Sequence, residues 1–184
     1  AIGPVAQQLS AQLGPDVPMA HTSGATPITV LAPFTSRFGG LYPLQSFSNH
    51  RPIDFAQIPF CVQASDPTLL NLLRAMAQKM SPQVYELDDA QRAQLHLAAV
   101  FANNFVNYLI GQSQQILAQA AIPRTILFNL MRETSEKLEV QDAASAQTGP
   151  AIRGDQATIE KHLQLLAANP AARAVYQLIS EQIA

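Results

Sequence analysis

The stretch from Ala93 to Pro123, AQLHLAAVFANNFVNYLIGQSQQILAQAAIP, decides how this chain is read, because none of its 31 residues is Lys, Arg, Asp or Glu. A membrane span is the first alternative to test. His96, Asn103, Asn104, Asn107 and five glutamines interrupt the run, which therefore lacks the roughly 20 mainly apolar residues a bilayer requires. On a helical wheel His96, Asn103, Asn107 and Gln114 fall within about 40° of one another. The rest of the circumference is mostly apolar: Leu95, Phe101, Phe105, Val106, Leu109 and Ile116. Such a helix is expected at the centre of a domain or dimer, with one polar stripe facing a cleft.

Working outward, the flanking residues predict further helices. Asp88 or Asp89 can cap the start of the long helix. Pro123 suits the first turn of a second, reaching about Leu138. A turn-rich segment follows over residues 140–154; Asp155 then caps a helix that ends near Asn169-Pro170, and Ala171 to Ile183 forms the last. Residues 1–86 read differently. Val5, Leu9 and Leu13 give a helix stopped by Gly14-Pro15, and Ile28 to Phe34 a short helical piece. Val17–Ala20, Gly39–Leu44, Pro59–Ala64 and Val84-Tyr85 are strand candidates, with a helix opened by Asp66 or Pro67 running to Met80. The expected architecture is α/β over residues 1–86 followed by all-α over 87–184.

Composition limits the function. The chain has 184 residues, 48% of them hydrophobic and only 13% charged, with a net charge of −2. Normal hydrophobicity excludes disorder. Eleven scattered basic residues, no two adjacent, argue against a nucleic-acid partner. The weak surface charge suggests that part of the chain faces protein. A single cysteine, Cys61, and a start without a signal peptide point to a cytoplasmic protein. No HExxH, GxSxG, paired cysteines or Walker loop occurs, so metal and hydrolase chemistry have no support.

Four places can carry chemistry. His21-Thr22-Ser23-Gly24 leaves the carboxyl end of a predicted strand, where open α/β sheets gather ligands; a tight turn held by its own side chains explains it as well. Gly39-Gly40 allows close backbone approach, and Gln45 and Ser46 beyond it offer neutral hydrogen bonds. His96 with Asn103, Asn104 and Asn107 could polarise or protonate a carbonyl, since imidazole titrates near neutrality; the plainer alternative is a buried helix bonded to loop backbone. In Thr148-Gly149-Pro150-Ala151-Ile152-Arg153-Gly154-Asp155, Arg153 could clamp an anion while Asp155 caps the next helix.

These stretches occur together and in order: HTSG at 21–24, LYPLQSFS at 41–48, AAVFANNF at 98–105, and TGPAIRGD at 148–155 with Thr158, His162 and Leu163. In that combination the chain resembles an uncharacterised family of Rossmann-like proteins expected to be NAD(P)-dependent oxidoreductases. Their C-terminal helical domain is similar to the dimerisation domains of 6-phosphogluconate dehydrogenase and pyrroline-5-carboxylate reductase relatives. The resemblance implies a partial Rossmann-like nucleotide-binding domain over 1–86, and a helical domain over 87–184 for dimerisation and a substrate cleft. It also implies that roughly two strand–helix units with their GxGxxG turn, on the order of 60–80 residues, precede what is present here.

By the same resemblance the activity is hydride transfer between NADP or NAD and a small carbonyl, imine or hydroxy compound, in a homodimer away from membranes and nucleic acid. His96 and Asn104 are then the catalytic candidates. His21, Thr22, Ser23 and Gly24 touch the cofactor, and Gln45, Ser46, Asn107 and Arg153 touch the substrate. Two departures matter. Related hydroxyacid dehydrogenases carry a catalytic Lys four residues before an Asn; if that Asn is Asn104, the Lys position is Val100. Many relatives have His where this chain has Tyr42, so no acid–base role is transferred to that residue. The alternative is a dinucleotide-sensing or protein-binding dimer that has lost the lysine.

Overall fold

A computed structural model describes residues 2–48 and 51–184, which form two compact units, one reaching Val106 and the other running from Asn107 to Ala184. The first unit starts with α1, Ile2–Leu13, which stops where Gly14 takes a φ of +87°. The strands β1 (Met19–His21), β2 (Phe38–Pro43), β3 (Phe60–Ala64) and β4 (Val84–Glu86) form a sheet of order β1-β2-β3-β4. The outer pairs, β1 with β2 and β3 with β4, are parallel, whereas β2 and β3 are antiparallel. The carboxyl ends of β1 and β2 therefore share one edge, and the segments leaving them, from Thr22 and from Leu44, begin at that edge.

Side chains alternate across the two faces. On one, Leu41, Phe60 and Val62 pack with Ile58 against Leu69, Leu73 and Ala77 of α2, Pro67–Gln78, which Asp66 caps by accepting from Leu69 N. On the other, Met19 and Phe38 meet Ala6 of α1 and Leu31 of a 3₁₀ turn over Ile28–Leu31. Cys61 is a free, buried thiol. Burial is also what pushes its pKa up.

After β4, Asp88 caps α3 (Asp89–Ala99) in a reciprocal capping box with Gln91. The chain then passes through a π-helical turn, Val100–Phe105, into α4, Val106–Gln119. None of the residues between Ala93 and Pro123 is buried within the chain. The expected position at the centre of a domain is thus not realised inside a single copy. The second unit continues with α5 (Phe128–Lys137), α6 (Ala143–Ala146), α7 (Gln156–Leu165) and α8 (Pro170–Ile183). Pro123 is extended (ψ 131°) and precedes a 3₁₀ turn at Arg124–Leu127, so it stands just outside the helix it was expected to open. Asp155 caps α7 by accepting from Thr158 N, and Asn169 caps α8 through Ala172 N. Among the described residues no helix is long and apolar enough to cross a membrane.

Candidate functional site

The α3 face of the sheet is built by a match between two periodicities. In β2, Gly40 and Tyr42 point to the same side, about 6.6 Å apart. In α3, Arg92 and His96 lie one turn apart, a rise of about 6 Å. Arg92 meets the strand at Gly40, where a Cβ would lie 3.7 Å from its Nη1, and His96 meets it at Tyr42. A Cβ at Gly40 would press more closely on Ile28 Cγ2, at 3.3 Å, than on the guanidinium.

Arg92 is 2% exposed. Its Nη2 donates to Thr26 O at 2.6 Å and to Asp89 Oδ1 at 2.6 Å, and its Nη1 donates to Gln63 Oε1. Asp89 Oδ1 in turn accepts from Ile28 N at 3.1 Å. Helix α3 is thereby tied to the far end of the segment that leaves β1, at Thr26 and Ile28. The Nε of Arg92 is buried with no partner among the described residues.

That segment contains His21, Thr22, Ser23 and Gly24. Ser23 N donates to His21 Nδ1 at 3.2 Å, Ser23 Oγ donates to Thr26 Oγ1 at 2.8 Å, and His21 Nε2 lies 3.4 Å from Pro27 O. Thr22 is exposed. Gly24 fills the angle between two rings: a Cβ there would stand 2.7 Å from His96 Nδ1 and 2.8 Å from Tyr42 Cζ. Burial holds the His21 pKa below its ordinary value.

Tyr42 Oη lies 3.3 Å from His96 Nδ1, with the rings edge-on at 72°. The phenol donates to one tautomer of the imidazole and accepts from the other. Burial, with a smaller contribution from Cys61, raises the Tyr42 pKa, so the phenol keeps its proton at neutral pH. The pair opens on a cavity of about 420 Å³, whose polar lining is Tyr42, Gln45, Ser46, His96, Asn103 and Asn104.

The π-helical turn explains how Asn104 enters this set. Bonds from i to i+5 widen the turn, so each residue advances less than the 100° of an α-helix, and Asn104 swings toward the side of His96. Val100 also lines the cavity.

Of the sequence-derived candidates, the structure brings together His96, Asn104, Gln45 and Ser46, with Gly24 against the His96 ring. Asn107 and Arg153 belong to the second unit, where Arg153 is exposed in the turn before α7. Beside it Gly154 has φ +65°, and Asp155 accepts from Thr158 N and Oγ1 at 3.1 and 2.7 Å. The Thr158 hydroxyl holds the Asp155 pKa down. The Arg-Gly-Asp tripeptide is thus part of a turn and helix cap. His162 Nδ1 bonds to Tyr176 Oη at 2.8 Å. Tyr42 and Arg92 were missed. The signal for both was the alternation of β2 set against the i, i+4 spacing of α3.

The family whose members are described as carrying a domain of unknown function, DUF2520, matches residues 58–183. The chain belongs to that family. Among solved structures it is similar to one described as putative NADP oxidoreductase BF3122 from Bacteroides fragilis. That match has 39% identity and a TM-score of 0.88 over 90% of this chain, and covers 64% of the other protein's length. It also shares its fold with protein TM1727 from Thermotoga maritima, at 21% identity and a TM-score of 0.81, over 98% of this chain and 74% of that one. No curated protein matches it. These likenesses agree with the sheet followed by helices seen here.

A dinucleotide, implied by the first of these names, would meet this sheet at the carboxyl end of β1. In the segment after β1, His21 and Ser23 bond within their own turn, and the sequence contains no GxGxxG to cradle a pyrophosphate. These residues do not complete a dinucleotide site. Nor do the described residues include a group of His, Cys, Asp and Glu able to hold a metal ion.

Proposed function

We propose that this family member supplies the substrate side of an NAD(P)-dependent oxidoreductase that acts on a small carbonyl, imine or hydroxy compound. The observation that carries this reading is the Tyr42–His96 pair, 3.3 Å apart at the mouth of a cavity lined by Asn103 and Asn104. A carbonyl that is reduced must gain a proton on oxygen, and one that is formed must lose it. The phenol of Tyr42 can donate that proton and recover it through His96 Nδ1, while Asn104 orients the same oxygen by its amide N–H. The 39% identity to a protein named an NADP oxidoreductase supports NADP as the partner in hydride transfer. The proposed contacts of His21 to Gly24 with the cofactor, and of Gln45 and Ser46 with substrate, belong to this reading.

Its test is titration of the full-length protein with NADPH and NADH, followed by turnover. Binding of either cofactor is expected, and His96→Ala is expected to lower kcat by about 100-fold or more. No binding at millimolar cofactor overturns it. One observation favours a second reading: Val100 stands where the relatives' lysine is expected. Cofactor binding without turnover, unchanged by His96→Ala, identifies a dinucleotide-sensing protein instead. In either reading we propose a homodimer through the long helix, because Leu97, Phe101, Phe105 and Tyr108 are 46–61% exposed in one copy. A monomer by light scattering removes that part.

A further inference from the structure

We propose that the Tyr42–His96 cavity takes a small uncharged ligand bearing hydroxyl or carbonyl groups, and discriminates against carboxylates and phosphates. This names the substrate class for the site in the proposed function, and rests on that reading only for the statement that the ligand reacts. Among the described residues none that lines it is Lys, Arg, Asp or Glu: beside the six polar residues stand Leu44, Ala99, Val100 and Ala102. An anion seated there loses water against an apolar wall and meets no counter-charge, an unfavourable exchange. Arg51 and Asp54, opposite in sign, line a neighbouring hollow of about 330 Å³ that shares Gln45 and Ser46.

The polar groups also suit a ligand that both donates and accepts. A carboxylate only accepts hydrogen bonds, whereas each Asn and Gln side chain pairs two N–H donors with a carbonyl acceptor. Asn103 and Asn104 therefore meet a hydroxyl, which donates and accepts, with both halves of the amide, whereas a carboxylate engages only their N–H donors. Gln45 Oε1 already accepts from Ser46 N at 2.8 Å and leaves its amide N–H₂ as the donor. The Tyr42–His96 pair adds a site that donates or accepts by exchanging its shared proton.

The experiment uses ligand pairs that differ in charge but keep one carbon skeleton: lactamide with lactate, and pyruvamide with pyruvate. Each is titrated into the full chain at constant ionic strength, following the side-chain amide signals of Asn103 and Asn104 and the ring signals of His96. The amides are expected to shift these signals and to bind about tenfold more tightly than the anions. Equal or tighter binding of an anion at these signals overturns the proposal, as does an absence of shifts from all four compounds. Val100→Lys places a cation in the lining and is expected to abolish the preference, raising lactate affinity about tenfold. Lactate affinity unchanged in a Val100→Lys protein that keeps its other amide signals counts against charge as the discriminator and overturns it too. Cofactor binding is read separately: amide binding without NADPH or NADH binding in the full-length protein removes the oxidoreductase reading and leaves the ligand class standing.

Discussion

Between Ala6 and Ala77 the sheet unit buries Met19, Ile28, Leu31, Ile58, Phe60, Val62, Leu69 and Leu73 to 8% exposure or less, whereas from Asn107 onward only Ala151, Leu166 and Ala172 are buried apolar residues. The helical unit is not poorer in apolar residues. It leaves them outside, with Ile126, Leu130, Leu138 and Leu165 between 48% and 72% exposed. The two units thus differ in where their apolar surface is covered. The sheet covers its own faces with α1 and α2, while amphipathic helices that leave such residues out need other protein surface. The uncharged run 93–123 crosses from the first unit into the second, where it covers residues 107–123.

The sharpest way to break this comparison is one methyl group in each unit. At Gly39 a Cβ would lie 2.5 Å from the backbone oxygen of Gln63 and 2.8 Å from Leu73 Cδ1, so the strand pair itself must move. Gly39→Ala is expected to cost about 3 kcal/mol in urea unfolding. At Gly111, inside α4, an added Cβ meets nothing within 4 Å. Gly111→Ala is therefore expected to stabilise by about 0.5–1 kcal/mol through helix propensity. Similar losses in both variants would mean that the helical unit is as tightly packed as the sheet.

A smaller loss is expected at Arg92. Arg92→Met keeps the length of the side chain but leaves Gln63 Oε1 and Thr26 O without their donor, and Asp89 without its counter-charge. Because the Asp89 side chain is 32% exposed, water replaces part of the interaction, and about 2 kcal/mol is expected. The corresponding change at exposed Arg173 in the second unit is expected to lie within about 0.5 kcal/mol of zero. Equal unfolding midpoints for the Arg92→Met and unchanged proteins would show that the sheet unit does not depend on this tie.

Local signals were the legible part. Gly14 after Leu13, Asp66 before Pro67, Asp88 three residues before Gln91, and Asn169 before Pro170 each mark a helix end by chemistry confined to one turn. The strands were legible as apolar runs, but their directions were not: a run such as Phe60–Ala64 has the same pattern read either way, so the antiparallel step from β2 to β3 had no signature. The site was half legible. His96 and Asn104 stood out as polar residues in an uncharged helix. Their neighbour Tyr42 depends on which strand faces α3, and the wheel that grouped His96 with Asn107 assumed α-helical turns throughout, which the π-helical turn at Val100–Phe105 breaks.

The smallest effect expected is at His21, which is buried in the sheet unit while the histidine of the helical unit, His162, is only partly buried against Tyr176. Burial is the main reason the His21 pKa lies below 6.5; Arg92 acts in the same direction, and Asp89 and the bond to Pro27 O oppose it. A base with a lowered folded-state pKa binds fewer protons when folded than when unfolded. Its contribution to stability is therefore complete above about 6.5, and is lost progressively as pH falls from there toward the lowered value. His21→Asn removes the titrating group, so the change in urea midpoint between pH 7.5 and 5.5 is expected to be smaller in the variant. If His21→Asn leaves that change as it is, burial in the sheet unit is not what sets the acid sensitivity of this protein.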